Sequence, residues 1–162
     1  MFIFTKDYPM TRRLLGALAI IGTLLLSGCG NDYGVDQYGQ KVAAERLDKQ
    51  WLVVNYWAEW CGPCRTEIPE LNALAEQLKG QSVGVFGVNF DNVQGEELKS
   101  ASEKLGIKFT VLAQNPDGIF DIPRSEALPV TYIIDDKGKV REQLMGEQTA
   151  EGVLAKLKAL RG

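Results

Sequence analysis

The sequence predicts an α/β domain in which a mixed central sheet is flanked by helices. Short runs rich in β-branched and aromatic residues alternate with stretches whose apolar residues recur every three or four positions. The last two such runs are separated only by Asp136-Lys137-Gly138, a hairpin turn. With 162 residues, 45% hydrophobic and 24% charged, the chain has the length and balance of one globular domain rather than a disordered polymer.

The elements follow in order. Val42 to Lys49 places Ala43, Ala44 and Leu47 at helical spacing. Trp51 to Trp57 (WLVVNYW) is a short apolar run that reads as a buried strand. A turn at Cys61-Gly62-Pro63-Cys64 opens a helix carried by Ile68, Leu71, Leu74, Ala75 and Leu78; Gly80 stops it after Lys79. Ser82 to Asn89 is a second strand, Glu96 to Leu105 a second long helix, and Phe109 to Leu112 a third strand. Asn115-Pro116-Asp117-Gly118 signals a turn. Val130 to Ile134 and Val140 to Met145 form the hairpin, and Thr149 caps a closing helix to Leu160. Strands joined through helices run parallel, so the sheet is partly parallel with antiparallel strands at its end.

The N-terminus carries a different signal. Arg12 and Arg13 precede an apolar run from Leu14 to Leu26, the length of a signal-peptide core and shorter than the roughly 20 residues that span a bilayer. It ends in Leu26-Ser27-Gly28-Cys29, which resembles a bacterial lipobox. The resemblance implies that residues 1–28 are a lipoprotein signal peptide and that Cys29 is acylated, which accounts for the odd cysteine among three. The other reading is a retained membrane anchor with an incidental thiol. Met10 also fits as a start. Residues 29–39, polar and glycine-rich, read as a tether to a domain at 40–162. The expected location is the bacterial envelope, facing the periplasm. Gly30, in place of an Asp, favours the outer over the inner membrane.

Composition removes whole classes of function. The formal charge of -3 leaves no basic footprint for nucleic acid, and removing residues 1–28 leaves 15 basic and 20 acidic residues. The chain has no histidine, which excludes a histidine base or metal ligand. Chemistry then falls to the cysteines. At a strand-to-helix junction, Cys61 meets unpaired backbone N–H groups and the positive end of the helix dipole, and both favour thiolate over thiol. Cys61 is the expected nucleophile, and Cys64, one turn on, resolves the mixed disulfide. Gly62 and Pro63 shape the loop between them, Pro63 at a position where a missing N–H costs little. A zinc site needs two further ligands that the chain lacks, and a structural disulfide closing so small a loop stabilises little.

Trp57-Ala58-Glu59-Trp60-Cys61-Gly62-Pro63-Cys64-Arg65 resembles the active-site segment of thioredoxins. Cys64 to Pro69, with Asn55 upstream, is more similar to the TlpA/ResA-type membrane-anchored thioredoxins. The resemblance covers roughly residues 40–162 and implies a thioredoxin-like fold with a mid-fold insertion, for which Val93 to Leu112 is well placed. It implies that Pro129 is a cis-proline facing the dithiol, that Leu128 lines the same groove, and that Pro69 kinks its helix. Trp60 is expected at the rim where client proteins dock; Trp57 reads as core.

Thioredoxins bury an aspartate under the dithiol, near a lysine; the matching positions here are Asn55 and Gly87, neither of which carries a proton. Glu67, three residues after Cys64 on the same helix face, is the candidate proton acceptor and matches a glutamate of the TlpA/ResA motif. The competing reading is an idle, solvated helix carboxylate. The function implied is an envelope thiol–disulfide oxidoreductase that reduces protein disulfides through the redox-active pair Cys61–Cys64, with no other cofactor. Clients would be protein disulfides, apocytochrome c among them, and a membrane thiol donor would supply electrons. Disulfide donation or isomerisation on the same fold is the main alternative. A thiol peroxidase lacks its upstream Thr-x-x-Cys, and a copper chaperone lacks its histidine.

Overall fold

The computed structural model describes residues 31–162, so the signal peptide expected at residues 1–28 and Cys29 lie outside the described residues. Strand β1 (Trp51–Trp57) leads into helix α1 (Gly62–Gln77), then β2 (Val83–Asn89), α2 (Gly95–Lys104), β3 (Thr110–Leu112) and the single turn α3 (Asp117–Phe120). The hairpin β4 (Val130–Ile134) and β5 (Val140–Met145) precedes α4 (Ala150–Arg161). The five strands are ordered β3-β2-β1-β4-β5. β1 and β2, and β2 and β3, are parallel, whereas β4 is antiparallel to both β1 and β5. A mixed sheet flanked by helices is the architecture expected, with α2 and β3 in the stretch assigned to the insertion.

Alternation along β1 divides the core. Val53, Asn55 and Trp57 face the helices; there Ile68, Leu71 and Leu74 of α1, Leu98 and Ala101 of α2, and Val153 and Leu157 of α4 close over the sheet. Each fully buried aliphatic side chain of this layer contributes about 1.5–3 kcal/mol relative to exposure. Leu52, Val54 and Tyr56 face the other way, covered by Tyr33, Val42, Leu47 and the residues around α3. β1 is thus apolar on both faces, as a central strand must be.

Three expectations are corrected. Residues 33–39 are not a tether outside the domain. Tyr33 is 2% exposed and stacks on Phe120 at 5.8 Å, and its hydroxyl donates to Asp48 at 2.7 Å. Gln37 caps the free edge of β3: its backbone N–H donates to Val111 O at 3.0 Å, and its side-chain Oε1 accepts from Val111 N at 2.8 Å. Backbone bonds, with Ala113 N–H also donating to Val35 O at 2.9 Å, and the single Gln37 side chain do the edge pairing here, so no apolar pattern announces it. Between Val42 and Lys49 only one 3-10 turn forms, at Ala44–Arg46; Lys49, at φ 58°, then turns the chain into β1 before a longer helix can nucleate. The turn at 115–118 winds on into α3, ended by Asp121 in the left-handed region.

Candidate functional site

β1 ends at Trp57, and a tight loop delivers Cys61 as the N-cap of α1, with extended backbone at φ -79° and ψ 104°. Its Sγ accepts the backbone N–H of Cys64 at 3.2 Å, an otherwise unpaired donor of the helix start. Cys61 and Cys64 are joined as a disulfide. Gly62 and Pro63 are exposed beside it, Cys61 is 3% exposed and Cys64 fully buried, so an incoming sulfur meets Cys61 first. Pro69, inside α1, has no N–H to give the carbonyl of Arg65.

The sheet register brings two of the other residues singled out in the sequence to the same end of the sheet as this pair. β4 lies beside β1, and Val130 is the register partner of Tyr56. That places Leu128 and Pro129 at the end of β1 from which the cysteine loop departs. The Leu128–Pro129 bond is cis, Pro129 is buried, Leu128 is half-buried, and Pro129 O accepts the N–H of Gly146 at 2.9 Å. Trp60 is 67% exposed yet held, its Nε1 donating to Asp91 Oδ2 at 2.8 Å. Trp57 is fully buried and packs across Gly87: a Cβ on Gly87 would stand 3.0 Å from Trp57 Nε1 and 3.0 Å from Phe109 Cε2. An added side chain there would have to push the Trp57 indole, the Phe109 ring or Val111 aside.

Glu67 is 1% exposed, so the solvated-carboxylate reading fails. Its Oε1 accepts from Asn55 Nδ2 at 2.7 Å and its Oε2 from the backbone N–H of Gln148 at 3.1 Å. Burial pushes its pKa up to about 7; the Asn55 and Gln148 hydrogen bonds pull down, and nearby Glu147 pushes up. A carboxyl raised into that range has the pKa that suits an acid–base group at neutral pH. Asn55 also donates to Thr131 Oγ1 at 3.0 Å, while its own Oδ1 and the Nε1 of Trp57 are buried without partners.

Sequence reasoning missed Thr131, Gln148 and Asp91. One signal was available: Asn55 is the single amide in an otherwise apolar strand, and a buried amide demands partners.

Residues 29–143 match the model of the AhpC/TSA family. The chain is 31% identical over 125 residues to the thiol-disulfide oxidoreductase ResA of Bacillus thuringiensis (strain Al Hakam), covering 77% of this chain and 72% of that protein. The ResA of Bacillus anthracis matches to the same extent. Among solved structures, a thiol:disulfide interchange protein of the thioredoxin family from Chlorobium tepidum TLS superposes with a TM-score of 0.66 at 25% identity, over 80% of this chain and 92% of that one.

Proposed function

The chain belongs to the AhpC/TSA family and is a thiol–disulfide oxidoreductase of the ResA kind, and from that premise we propose that it reduces disulfides in envelope proteins. The observation that carries the mechanism is a buried Glu67 carboxyl one helical turn from a disulfide seated at a helix start.

In the reduced enzyme the Cys61 thiolate, favoured by the helix start, attacks one sulfur of the client disulfide. The client S–S bond breaks, its second sulfur leaves as a thiolate, and Cys61 is joined to the client. Cys64 then gives its proton to the Glu67 carboxylate and attacks Cys61 Sγ. The remaining client sulfur leaves, and the Cys61–Cys64 disulfide forms. Two electrons have passed to the client, and the proton on Glu67 is released to the departing thiolate or to water. Trp60, Gly62, Pro63, Leu128 and Pro129 form the surface on which the client chain lies, Pro129 beside the strand end that presents Cys61.

The Gly-Pro between the cysteines, shared with thioredoxins, supports the reducing direction. Return to the dithiol state requires a thiol donor, for which a membrane thiol transporter is the fitting class. Apocytochrome c and other disulfide-bearing proteins are the client class. The lipobox-like Leu26-Ser27-Gly28-Cys29 supports attachment to a membrane through acylated Cys29.

Redox titration of the Cys61–Cys64 pair tests the direction. A potential near thioredoxin's value of about -270 mV supports a reductase; one near DsbA's value of about -120 mV makes the protein a disulfide donor. Trapping with Cys64→Ala should then capture the client as a mixed disulfide through Cys61.

A further inference from the structure

Asn55 makes a pair of contacts that a carboxylate or an aliphatic side chain in its place would not. It is fully buried on β1, between Glu67 of α1 and Thr131, its cross-strand partner on β4. A primary amide nitrogen carries two hydrogens, and both are used: one goes to Glu67 Oε1 at 2.7 Å, the other to Thr131 Oγ1 at 3.0 Å. The amide oxygen, by contrast, is buried and accepts nothing. A buried acceptor without a partner is costly and calls for an explanation.

It also leaves the amide anchored through its nitrogen alone. Turning it by half a rotation exchanges oxygen and nitrogen with little change of shape. The oxygen then stands between Glu67 and Thr131 with two lone pairs. It accepts from the O–H of a protonated Glu67 and from the Thr131 hydroxyl. One position thus offers donors to a carboxylate and a hydroxyl, or acceptors to a carboxylic acid and a hydroxyl; with the oxygen unpartnered, only the two Nδ2 bonds hold the amide in its present orientation.

We propose that Asn55 is a positioning residue that holds Glu67 in both of its proton states by turning its amide. The proposal rests on the reading of Glu67 as the acceptor of the Cys64 proton. When the Cys64 sulfur attacks Cys61 and the client sulfur leaves, the proton passes to Glu67 Oε1. The amide turns, and Glu67 donates to Asn55 Oδ1 instead of accepting from Nδ2. When Glu67 gives up the proton, the amide turns back. The other groups near this carboxylate do not offer that exchange. The Gln148 N–H only donates, Glu147 in the loop before α4 only repels, and Glu70 on α1 is engaged by the N–H of Ala150 at 3.0 Å.

Side-chain amide NMR of the full-length protein, across pH 5–9, tests this directly. Both Nδ2 hydrogens of Asn55 should shift together as Glu67 titrates, because both lose their acceptors when the amide turns. If only the hydrogen facing Glu67 responds, or neither does, the turn does not occur and the proposal falls. Kinetics supply the second arm. Asn55→Leu should slow client reduction about tenfold or more at pH 7, and the Asn55→Leu, Glu67→Gln double variant should be no slower than Glu67→Gln alone. Additive losses overturn the proposal. Wild-type turnover in Glu67→Gln overturns the proton-acceptor reading itself, while the NMR titration still decides whether the amide turns. Should Asn55→Leu not fold, the wild-type titration decides alone.

Discussion

Glu67 and Gln148 are separated by 81 positions in sequence, yet a 3.1 Å hydrogen bond from the Gln148 backbone N–H to Glu67 Oε2 ties helix α1 to the loop before α4. That loop also holds Gly146, whose N–H donates to Pro129 O at 2.9 Å. Glu67 and Pro129 are therefore both hydrogen-bonded to one short segment of chain.

The buried carboxyl makes stability depend on pH in an unusual direction. Its folded pKa, raised from 4.5 to about 7, lies above the unfolded value, so its favourable contribution is complete below about pH 4.5. That contribution is lost as pH rises through 7, by on the order of 3 kcal/mol. Asp135 acts in the opposite sense: burial raises its pKa, but hydrogen bonds from Lys139, Lys137 and Arg141 outweigh this and hold it below 3.8. Its contribution is lost only in stronger acid, so the two windows do not overlap. Urea unfolding of the oxidised protein should show falling stability from pH 5 to 8.5, and Glu67→Gln should flatten the slope. A wild-type curve already flat across that range would place the Glu67 pKa near the unfolded value.

Cys61 should be the fast thiol of the reduced enzyme. Alkylation at pH 6, followed by peptide mapping, should label Cys61 well before Cys64, because Cys61 stands at the helix start and Cys64 is fully buried. Equal rates, or faster labelling of Cys64, would reverse the two roles.

Most of the fold was legible in the sequence, for local reasons. β1, β4 and β5 fall on the expected residues, because each run is bounded by turn residues and carries a consistent pattern. The helices α1, α2 and α4 follow from their apolar period, and Thr149 caps α4 by accepting from Gly152 N as expected. What was not legible depends on distance in sequence or on polar packing. Asn55 meets Thr131 across 76 positions, and no local pattern encodes that meeting. Residues 33–37 pair with β3 through an amide side chain rather than through an apolar stripe. Glu67 was legible as a candidate through its spacing from Cys64, but its burial was not, because it is made by Asn55 on β1 and by Gln148, 81 positions away.

Gly87→Ala should destabilise the protein by about 1–3 kcal/mol, since the added methyl would crowd the Trp57 indole and the Phe109 ring at 3.0 Å in a packed core. Thermal unfolding checks this. A variant as stable as wild type would mean that the Trp57 and Phe109 rings shift freely.

Membrane attachment through Cys29 is checked by Cys29→Ser, which should either block processing or release the domain into the soluble fraction. A variant that is cleaved and still sediments with membranes would show that another segment holds the protein there.

The packing of Tyr33 has a bearing on where the enzyme can work. With an acyl chain on Cys29, only the residues between Cys29 and Tyr33 are left as a leash, about 14 Å at full stretch. An eleven-residue tether would have allowed about 40 Å. Acylation of Cys29 would thereby confine the catalytic body to a thin layer against the lipid headgroups. Substrates anchored in that membrane, or emerging from it, would come within reach, whereas freely diffusing proteins would first have to approach the bilayer. The contacts of Tyr33 with Phe120 and Asp48, and of Gln37 with β3, would then set the working height of the active site above the membrane.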